Sequence, residues 1–368
     1  MTFIPPSRNQ KILCGVEHIS TALNEVGCQR YMLVCDAAFP HLNLTIPASE
    51  VCFDQFTPNP LFEDVCRGVD LFNQNRCDAI VAVGGGSTID VAKCIKLFCR
   101  MDPGADYLHQ PFADSGIPLI AVPTTAGTGS ESTRFAVIYS DGKKQSVTHD
   151  SIIPNYAVLD PALLATLPLY QKKCTMLDAL CHGIESLWSV NSTDESMMFA
   201  KMAIQQIMEH WHGYIEDNSE EDAKYIVTAA NLAGRAINIS QTTAAHAMSY
   251  KLTSIYGIPH GHAVALCLPE VWQYMMEHPD RCTDSRGQHH LEFVFEWLGQ
   301  LMQCNSSYKG LMMFRALLSS LDLPELPARE LSAVLETLVR SVNLDRLKNN
   351  PVPLDEVTLK NLYSKILR

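Results

Sequence analysis

The sequence predicts an α/β N-terminal domain built on a parallel sheet, followed by an all-α C-terminal domain. Three observations predict it. Short β-branched apolar runs alternate with helical stretches as far as Leu159. Two glycine- and hydroxyl-rich turns follow such runs directly, at Gly84–Ser87 and Thr124–Ser130. Beyond Asp160-Pro161 and Leu167-Pro168 nearly every stretch has helical periodicity. Strand–helix alternation with short connections is the pattern of a parallel sheet covered by helices.

Taken in order, Tyr31–Cys35 reads as a strand ending at Asp36. Phe62–Asn75 places Phe62, Val65, Val69 and Phe72 on one helix face. Ala79–Val83 is a strand that runs into Gly84-Gly85-Gly86-Ser87, and Thr88–Cys99 is helical. Ile117–Val122 is a strand stopped by Pro123; Phe135–Tyr139 and Tyr156–Leu159 are further strands. Helices follow at Thr175–Val190, Asp194–Asn218, Ala223–Asn238, Thr242–Tyr256, Leu291–Gln303 and Lys309–Leu321, with a turn into another at His260. Two shorter ones, Ala328–Ser341 and Leu354–Leu367, end the chain. The boundary is set at 163/164, with a dinucleotide-binding domain over 1–163 and a helical metal-binding domain over 164–368.

Composition narrows the function. With 368 residues and 47% apolar content the chain can bury a large core. Lys plus Arg is 28 against 40 for Asp plus Glu, a net charge of −12, with no basic arm or tail. Nucleic acid and anionic membranes are therefore excluded as partners, since both need a concentrated positive patch. The 13 cysteines contain no C-x-x-C pair and sit mostly among apolar residues. They read as reduced, buried thiols. The N-terminal MTFIPPSRNQ has no apolar signal core, and no apolar run is long enough to span a bilayer. The expected location is the cytoplasm.

Two loops carry anion chemistry. In Val81–Asp90 a strand, three glycines and a helix start follow one another. Glycines let the backbone approach a bulky anion, and the helix N-terminus offers free N–H groups and a positive dipole end. This is the chemistry of pyrophosphate binding, although a bare βα turn has the same outline. In Pro123–Glu131, Thr124, Thr125 and Thr128 offer hydroxyls to ribose or phosphate oxygens. Ligands bind at such strand ends in open α/β sheets. Asp36 would accept hydrogen bonds from an adenosine ribose and repel a 2′-phosphate, which favours NAD(H) over NADP(H).

A second constellation lies in the helical half. Asp178 and His182, four residues apart among Leu177, Ala179, Leu180 and Cys181, share one apolar helix face. A carboxylate and an imidazole there need a partner. His246 lies on a later helical stretch, and His260 follows Gly257-Ile258-Pro259 at a turn. One carboxylate and three imidazoles make a site for a divalent first-row metal with room for a substrate oxygen. His149, His262, His289 and His290 lack such support as metal ligands. No H-E-x-x-H and no G-x-S-x-G occurs.

Together these segments resemble the iron-containing (group III) alcohol dehydrogenases, of dehydroquinate synthase-like fold. The resemblance rests on VAVGGGSTIDVAK at 81–93, PTTAGTGSE at 123–131, LDPALLATLP at 159–168, DALCHGIES at 178–186, AAHAMSYKLTSIYGIPHGHA at 244–263 and NNPVPL at 349–354. It implies that Asp178, His182, His246 and His260 hold Fe²⁺, or alternatively Zn²⁺. It implies that Gly84, Gly85, Gly86, Ser87 and Asp90 hold the cofactor diphosphate, that Thr124, Thr125 and Thr128 form a second cofactor loop, and that Asp36 confers NAD preference. It also implies a homodimer through the edge strand of the N-terminal domain. Many members carry a histidine four residues after the ligand at 246; here Tyr250 stands there, so the proton for the alcohol is expected from water, a cofactor ribose hydroxyl or Tyr250.

The expected activity is metal-dependent, NAD(P)H-linked reduction of a small aldehyde to an alcohol. TRFAVIYSDGKKQSVTH at 133–149 and SLWSVNSTDES at 186–196 are similar to the phosphonoacetaldehyde reductase (2-hydroxyethylphosphonate dehydrogenase) branch, which implies a role in phosphonate metabolism. Candidates to hold its dianion are Arg134, Lys251 and His262; for Arg134 and Lys251 an ordinary salt bridge is the competing role. Sulfoacetaldehyde and a simple short-chain aldehyde are the alternatives, and a dehydroquinate synthase-type lyase is a remote one.

Overall fold

The computed structural model describes residues 10–42 and 44–367. The chain divides into two compact units. The first holds the residues up to Leu167 together with Asn218–Gly234; the second holds Pro168–Asp217 and Arg235–Arg368.

The first unit is organised by a six-stranded sheet: β1 (Lys11–Cys14), β2 (Tyr31–Cys35), β3 (Val51–Phe53), β4 (Ala79–Gly84), β5 (Leu119–Pro123) and β8 (Tyr156–Leu159), in the order β1-β8-β5-β4-β2-β3. Every pairing in it is parallel. Helices α1 (Ile19–Glu25), α2 (Phe62–Gln74) and α3 (Gly86–Phe98) connect the strands. Successive side chains on a strand point to opposite faces, and both faces are covered here. Met32, Val34, Ile80, Ala82, Leu119 and Ala121 pack toward Val65, Val69, Ile95 and Phe98 of α2 and α3. Leu33, Cys35, Val81, Val83, Ile120, Val122 and Val158 pack toward Ile19, Ala22 and Leu23 of α1. Two-sided burial explains why the central strands read as unbroken apolar runs.

The strand order sets the site. From β2 the chain passes outward to β3 and then returns to the other side of β2 as β4, so the connections diverge at the β2/β4 pair. Cys35 pairs with Val83, and Gly84 with Pro123. The carboxyl ends of β2, β4 and β5 thus lie side by side at a topological switch point.

Two details differ from the sequence expectation. Phe135–Ser140 (β6) does not join the parallel sheet; it pairs antiparallel with Lys143–Thr148 (β7). The two-residue turn Asp141-Gly142 has positive φ at both positions, 51° and 69°, which a tight hairpin needs. Second, a single cut at 163/164 leaves Asn218–Gly234 with the helical half, whereas it packs in the first unit. Asn231 donates to Glu131 Oε1 at 3.1 Å and Ser132 Oγ at 2.6 Å. Gly234 lies against Gly129, where a Cβ on either would overlap backbone.

The second unit is built from α4 (Leu169–Trp188), α5 (Asp194–Ile215), the end of α6 (Glu220–Ser240), α7 (Ala244–Tyr256), α8 (His260–Glu277), α9 (Gln288–Leu301), α10 (Ser307–Ser320), α11 (Leu331–Ser341), α12 (Leu344–Leu347) and α13 (Glu356–Ile366). Thr193 and Ser196 form a reciprocal capping box that starts α5. Gly257, left-handed at φ 66°, ends α7, and Pro259 starts α8, so the chain reverses within three residues, Gly257-Ile258-Pro259. Gly261 then lets α8 lie against α4: a Cβ there would overlap the Cys174 carbonyl and stand 2.9 Å from Asp178 Cβ. No helix of the described residues is long and apolar enough to cross a membrane. All 13 cysteines are free thiols.

Candidate functional site

The first unit presents a cradle at the switch point. Gly84 ends β4, and Gly85 precedes α3 without any side-chain cap. The first N–H groups of α3 therefore point outward, free for an anion. A Cβ on Gly84 would stand 2.7 Å from Asp36 Oδ2, and one on Gly86 2.9 Å from Thr128 Cγ2 and Oγ1. At Gly85 a Cβ would meet only the Thr125 side chain, at 3.4 Å. Thr124 is tied in by its N–H, which donates to Gly84 O at 3.1 Å. Asp36 is fixed by the Ala38 N–H on Oδ1 (3.0 Å) and the Thr88 hydroxyl on Oδ2 (3.0 Å). Ser87 Oγ accepts the Asn59 N–H at 3.3 Å. Asp36, Gly84–Gly86, Ser87, Thr124, Thr125 and Thr128 are thus brought together.

Asp90 has different work. Its Oδ1 accepts the Ser130 hydroxyl at 2.6 Å and its Oδ2 the Val137 N–H at 2.9 Å. The carboxylate ties α3 to the second loop and to β6. Lys93, fully buried, completes the tie by donating to Ser130 Oγ (3.0 Å), Thr133 Oγ1 (3.1 Å) and Phe135 O (2.8 Å).

The second unit gathers Asp178, His182 and His246, all buried, with ligand atoms within 4.8 Å of one another. The i,i+4 spacing on α4 puts the first two on one face; α7 brings the third. The His182 and His246 rings stack at 4.3 Å. His246 Nε2 stands 3.5 Å from Asp178 Oδ1. His260 Nε2, at the start of α8, is 4.0 Å from the same oxygen, on a side chain one-third exposed (33%). Asp178 Oδ1 and His246 Nε2 are buried with no hydrogen-bond partner. Orphaned polar atoms in the interior are costly unless something satisfies them. A carboxylate and imidazole nitrogens aimed at one point suit a divalent first-row cation.

Glu185, one turn beyond His182 on α4, organises this cluster. Fully buried, it accepts the His246 Nδ1–H on Oε2. Its Oε1 accepts the Thr243 hydroxyl (2.6 Å) and the N–H groups of Thr243 (3.1 Å) and Ala245 (3.0 Å). That bond fixes a proton on Nδ1, so that Nε2, on the Asp178 side, is the nitrogen available to a metal. Burial pushes the His246 pKa down, but Glu185 and Asp178 outweigh it and raise it to about 9. Burial also pushes Asp178 up, yet His182 and His246 hold its carboxyl below the ordinary range. The cluster is poised for positive charge.

The other sequence candidates fall out as follows. Tyr250 stacks on His260, rings 5.2 Å apart and 6° from parallel, and its hydroxyl accepts from Arg346 Nη1 at 2.7 Å. Arg134, in the first unit, pairs with Asp150 at 3.3 Å. His262 is 2% exposed and hydrogen-bonded to the Tyr170 hydroxyl at 2.8 Å. Burial lowers its pKa. Lys251 is half-buried on α7.

Comparison with known proteins decides the family. Residues 9–161 match the iron-containing alcohol dehydrogenase family, and residues 173–367 match the Fe-containing alcohol dehydrogenase family, C-terminal. The chain belongs to the iron-containing alcohol dehydrogenases. Phosphonoacetaldehyde reductase of Streptomyces viridochromogenes is 33% identical over 307 residues, 79% of this chain and 76% of that protein. NAD-dependent methanol dehydrogenase of Bacillus methanolicus is 31% identical over 288 residues, 73% of this chain and 74% of that protein. The fold is shared with sulfoacetaldehyde reductase from Bifidobacterium kashiwanohense, solved with NAD⁺ (TM-score 0.85, 24% identity, 100% of this chain and 99% of that one).

As a member of this family the chain is an oxidoreductase of the CH–OH class, using iron and NAD(H). The buried Asp178–His182–His246 cluster and the glycine cradle fit both groups. The match of both halves to this family displaces the remote lyase alternative. Sequence reasoning missed Glu185, Thr88 and Arg346. A glutamate embedded in the apolar stretch Cys181–Trp188 was the available signal for the first.

Proposed function

We propose that this dehydrogenase reduces phosphonoacetaldehyde to 2-hydroxyethylphosphonate with NADH. The observation that carries the chemistry is the buried cluster of Asp178, His182 and His246 with two unsatisfied atoms facing one another. The likeness to a phosphonoacetaldehyde reductase over 79% of the chain supports the substrate. When bound, the metal supplies Lewis acidity toward the substrate oxygen and the nicotinamide supplies hydride.

The chain's own residues do the rest. Gly84–Gly86 and the open N-terminus of α3 receive the diphosphate, Thr125 and Thr128 flank it, and Asp36 receives the adenosine ribose and disfavours a 2′-phosphate. Asp178, His182, His246 and His260 hold the metal, with Glu185 fixing the His246 tautomer. The alcohol product needs one proton. Tyr250 Oη is the candidate donor: Arg346 donates to that oxygen at 2.7 Å and so stabilises the phenolate left behind. A homodimer is proposed alongside, tested by light scattering.

The reading is tested by NADH oxidation after metal reconstitution, with phosphonoacetaldehyde, sulfoacetaldehyde and propionaldehyde, repeated with NADPH. Highest kcat/KM is expected for phosphonoacetaldehyde with NADH. No oxidation with any aldehyde overturns the reductase reading. A preference for sulfoacetaldehyde or propionaldehyde overturns the substrate alone.

A further inference from the structure

A substrate carrying a phosphonate must find positive charge in a protein of net charge −12. Two of the three cations anticipated for this role are otherwise committed: Arg134 pairs with Asp150, and His262 is buried and hydrogen-bonded to the Tyr170 hydroxyl. The second unit nevertheless holds a guanidinium close to the metal cluster. Arg346, on α12, lies over the Tyr250 ring at 5.2 Å, and Tyr250 in turn stacks on His260 at 5.2 Å.

Its hydrogen bonding is lopsided. Nη1 donates to Tyr250 Oη at 2.7 Å and to Thr242 Oγ1 at 3.3 Å. Nη2 and Nε have no hydrogen-bond partner among the described residues, and no carboxylate there lies within ion-pair distance of the guanidinium. Arg286, Arg315 and Arg340 of the same unit each pair with a carboxylate, at 2.6, 2.8 and 2.5 Å. A half-buried guanidinium held by one nitrogen, with its other edge open, matches an oxyanion that accepts two parallel N–H bonds. Tyr250 and Thr242 orient it without neutralising it.

We propose that Arg346 is the anion subsite: its Nη2/Nε edge binds the tetrahedral oxyanion at the tail of the aldehyde, a phosphonate or a sulfonate. This rests on the reading that the substrate is a small anionic aldehyde, and adds the residue that selects it. Selection by Arg346 acts through KM, since the charged tail is held alike in the ground and transition states.

The test compares wild type, Arg346→Met and Arg346→Lys with phosphonoacetaldehyde and propionaldehyde, metal content being measured for each. Arg346→Met lowers kcat for both aldehydes alike, because Tyr250 loses its partner, and on top of that the lost bidentate charge-assisted contact lowers the kcat/KM ratio of the anionic over the neutral aldehyde by about 10–100-fold through KM. Arg346→Lys recovers part of the ratio, because charge remains and the fork is lost. Methylphosphonate, as an inhibitor of propionaldehyde turnover, supplies a readout independent of the true substrate; its Ki rises by a similar factor in Arg346→Met. If wild type prefers propionaldehyde, the phosphonoacetaldehyde reading fails, and the inhibitor alone judges Arg346. If wild type prefers the anion but Arg346→Met keeps both the ratio and the Ki, or lowers kcat/KM equally for both aldehydes, the Arg346 proposal is overturned while the substrate reading stands.

Discussion

The glycine cradle of the first unit and the imidazole cluster of the second reach readiness by opposite means. In the cradle, side chains are missing where a ligand must come close, and those that remain are already satisfied by one another: Asp36 by Thr88 and Ala38, Ser87 by Asn59. Its shape costs little to maintain because backbone geometry sets it. In the cluster, side chains crowd together and are left unsatisfied, with Asp178 Oδ1 and His246 Nε2 buried and unpartnered. That arrangement is stable only with positive charge at its centre. One site is made by subtraction and is indifferent to its ligand; the other is incomplete without it.

The sharpest way to break this contrast is His246→Ala. It removes a ligand and the partner of Glu185, so elemental analysis should find the metal lost and turnover down by about a thousandfold or more, the several kcal/mol expected of a Lewis acid. NADH binding, followed by fluorescence, should survive. Unchanged metal content would overturn the ligand assignment.

Gly85→Ala probes the cradle. A Cβ there meets only Thr125, at 3.4 Å, so the fold tolerates it; any need for glycine is the ligand's. NADH affinity should fall about 10–100-fold, the penalty of overfilling a close contact. Thermal stability and metal content should stay constant, and an unchanged affinity would remove Gly85 from the cofactor site.

Glu185→Gln separates orientation from ligation. With an amide in place of the carboxylate, His246 loses the charged acceptor and faces an NH2 that favours the other tautomer, and metal affinity should drop by about 10–100-fold in a chelator competition. A smaller loss than His246→Ala is essential; equal losses would make Glu185 a packing residue instead.

Lys96→Met has the smallest expected effect and tests whether buried charge in the first unit is merely tolerated. Lys96 is 4% exposed and donates to Asn155 Oδ1 at 3.2 Å. Burial lowers its pKa to about 8. Below pH 8 the folded state carries the full desolvation penalty; as pH rises from about 8 toward the unfolded value the penalty is relieved, and stability from this group increases. The variant should therefore be more stable at pH 7, by about 1–2 kcal/mol. The gain should shrink as pH rises above 8. A destabilised variant at pH 7 would show that the Asn155 bond outweighs the penalty.

How much of this was legible in the sequence follows the same divide. Strands β2, β4, β5 and β8 announce themselves because burial on both faces makes them apolar throughout. Strands β1 and β3 are four and three residues long, and β7 is the polar KKQSVT, so none has a pattern to read. Glycines before a helix reveal the cradle, since their reason is local. Asp90 follows them by position, yet its oxygens go to Ser130 and Val137, 40 and 47 residues away. The i,i+4 pair Asp178 and His182 is likewise local. Glu185 escapes notice because its function lies in a contact with His246, 61 residues along the chain. Arg346 escapes because its meaning depends on which of its nitrogens remain open. Backbone-made features are written locally; side-chain networks are not.

The most direct test of the division of labour is chelation. Wild-type enzyme is stripped of metal, and two quantities are followed before and after Fe²⁺ is restored: NADH affinity by fluorescence, and NADH oxidation with phosphonoacetaldehyde. The expected result is unchanged NADH affinity throughout, with turnover lost on stripping and regained on restoration. Full turnover by the stripped enzyme, or loss of NADH binding together with the metal, would contradict it.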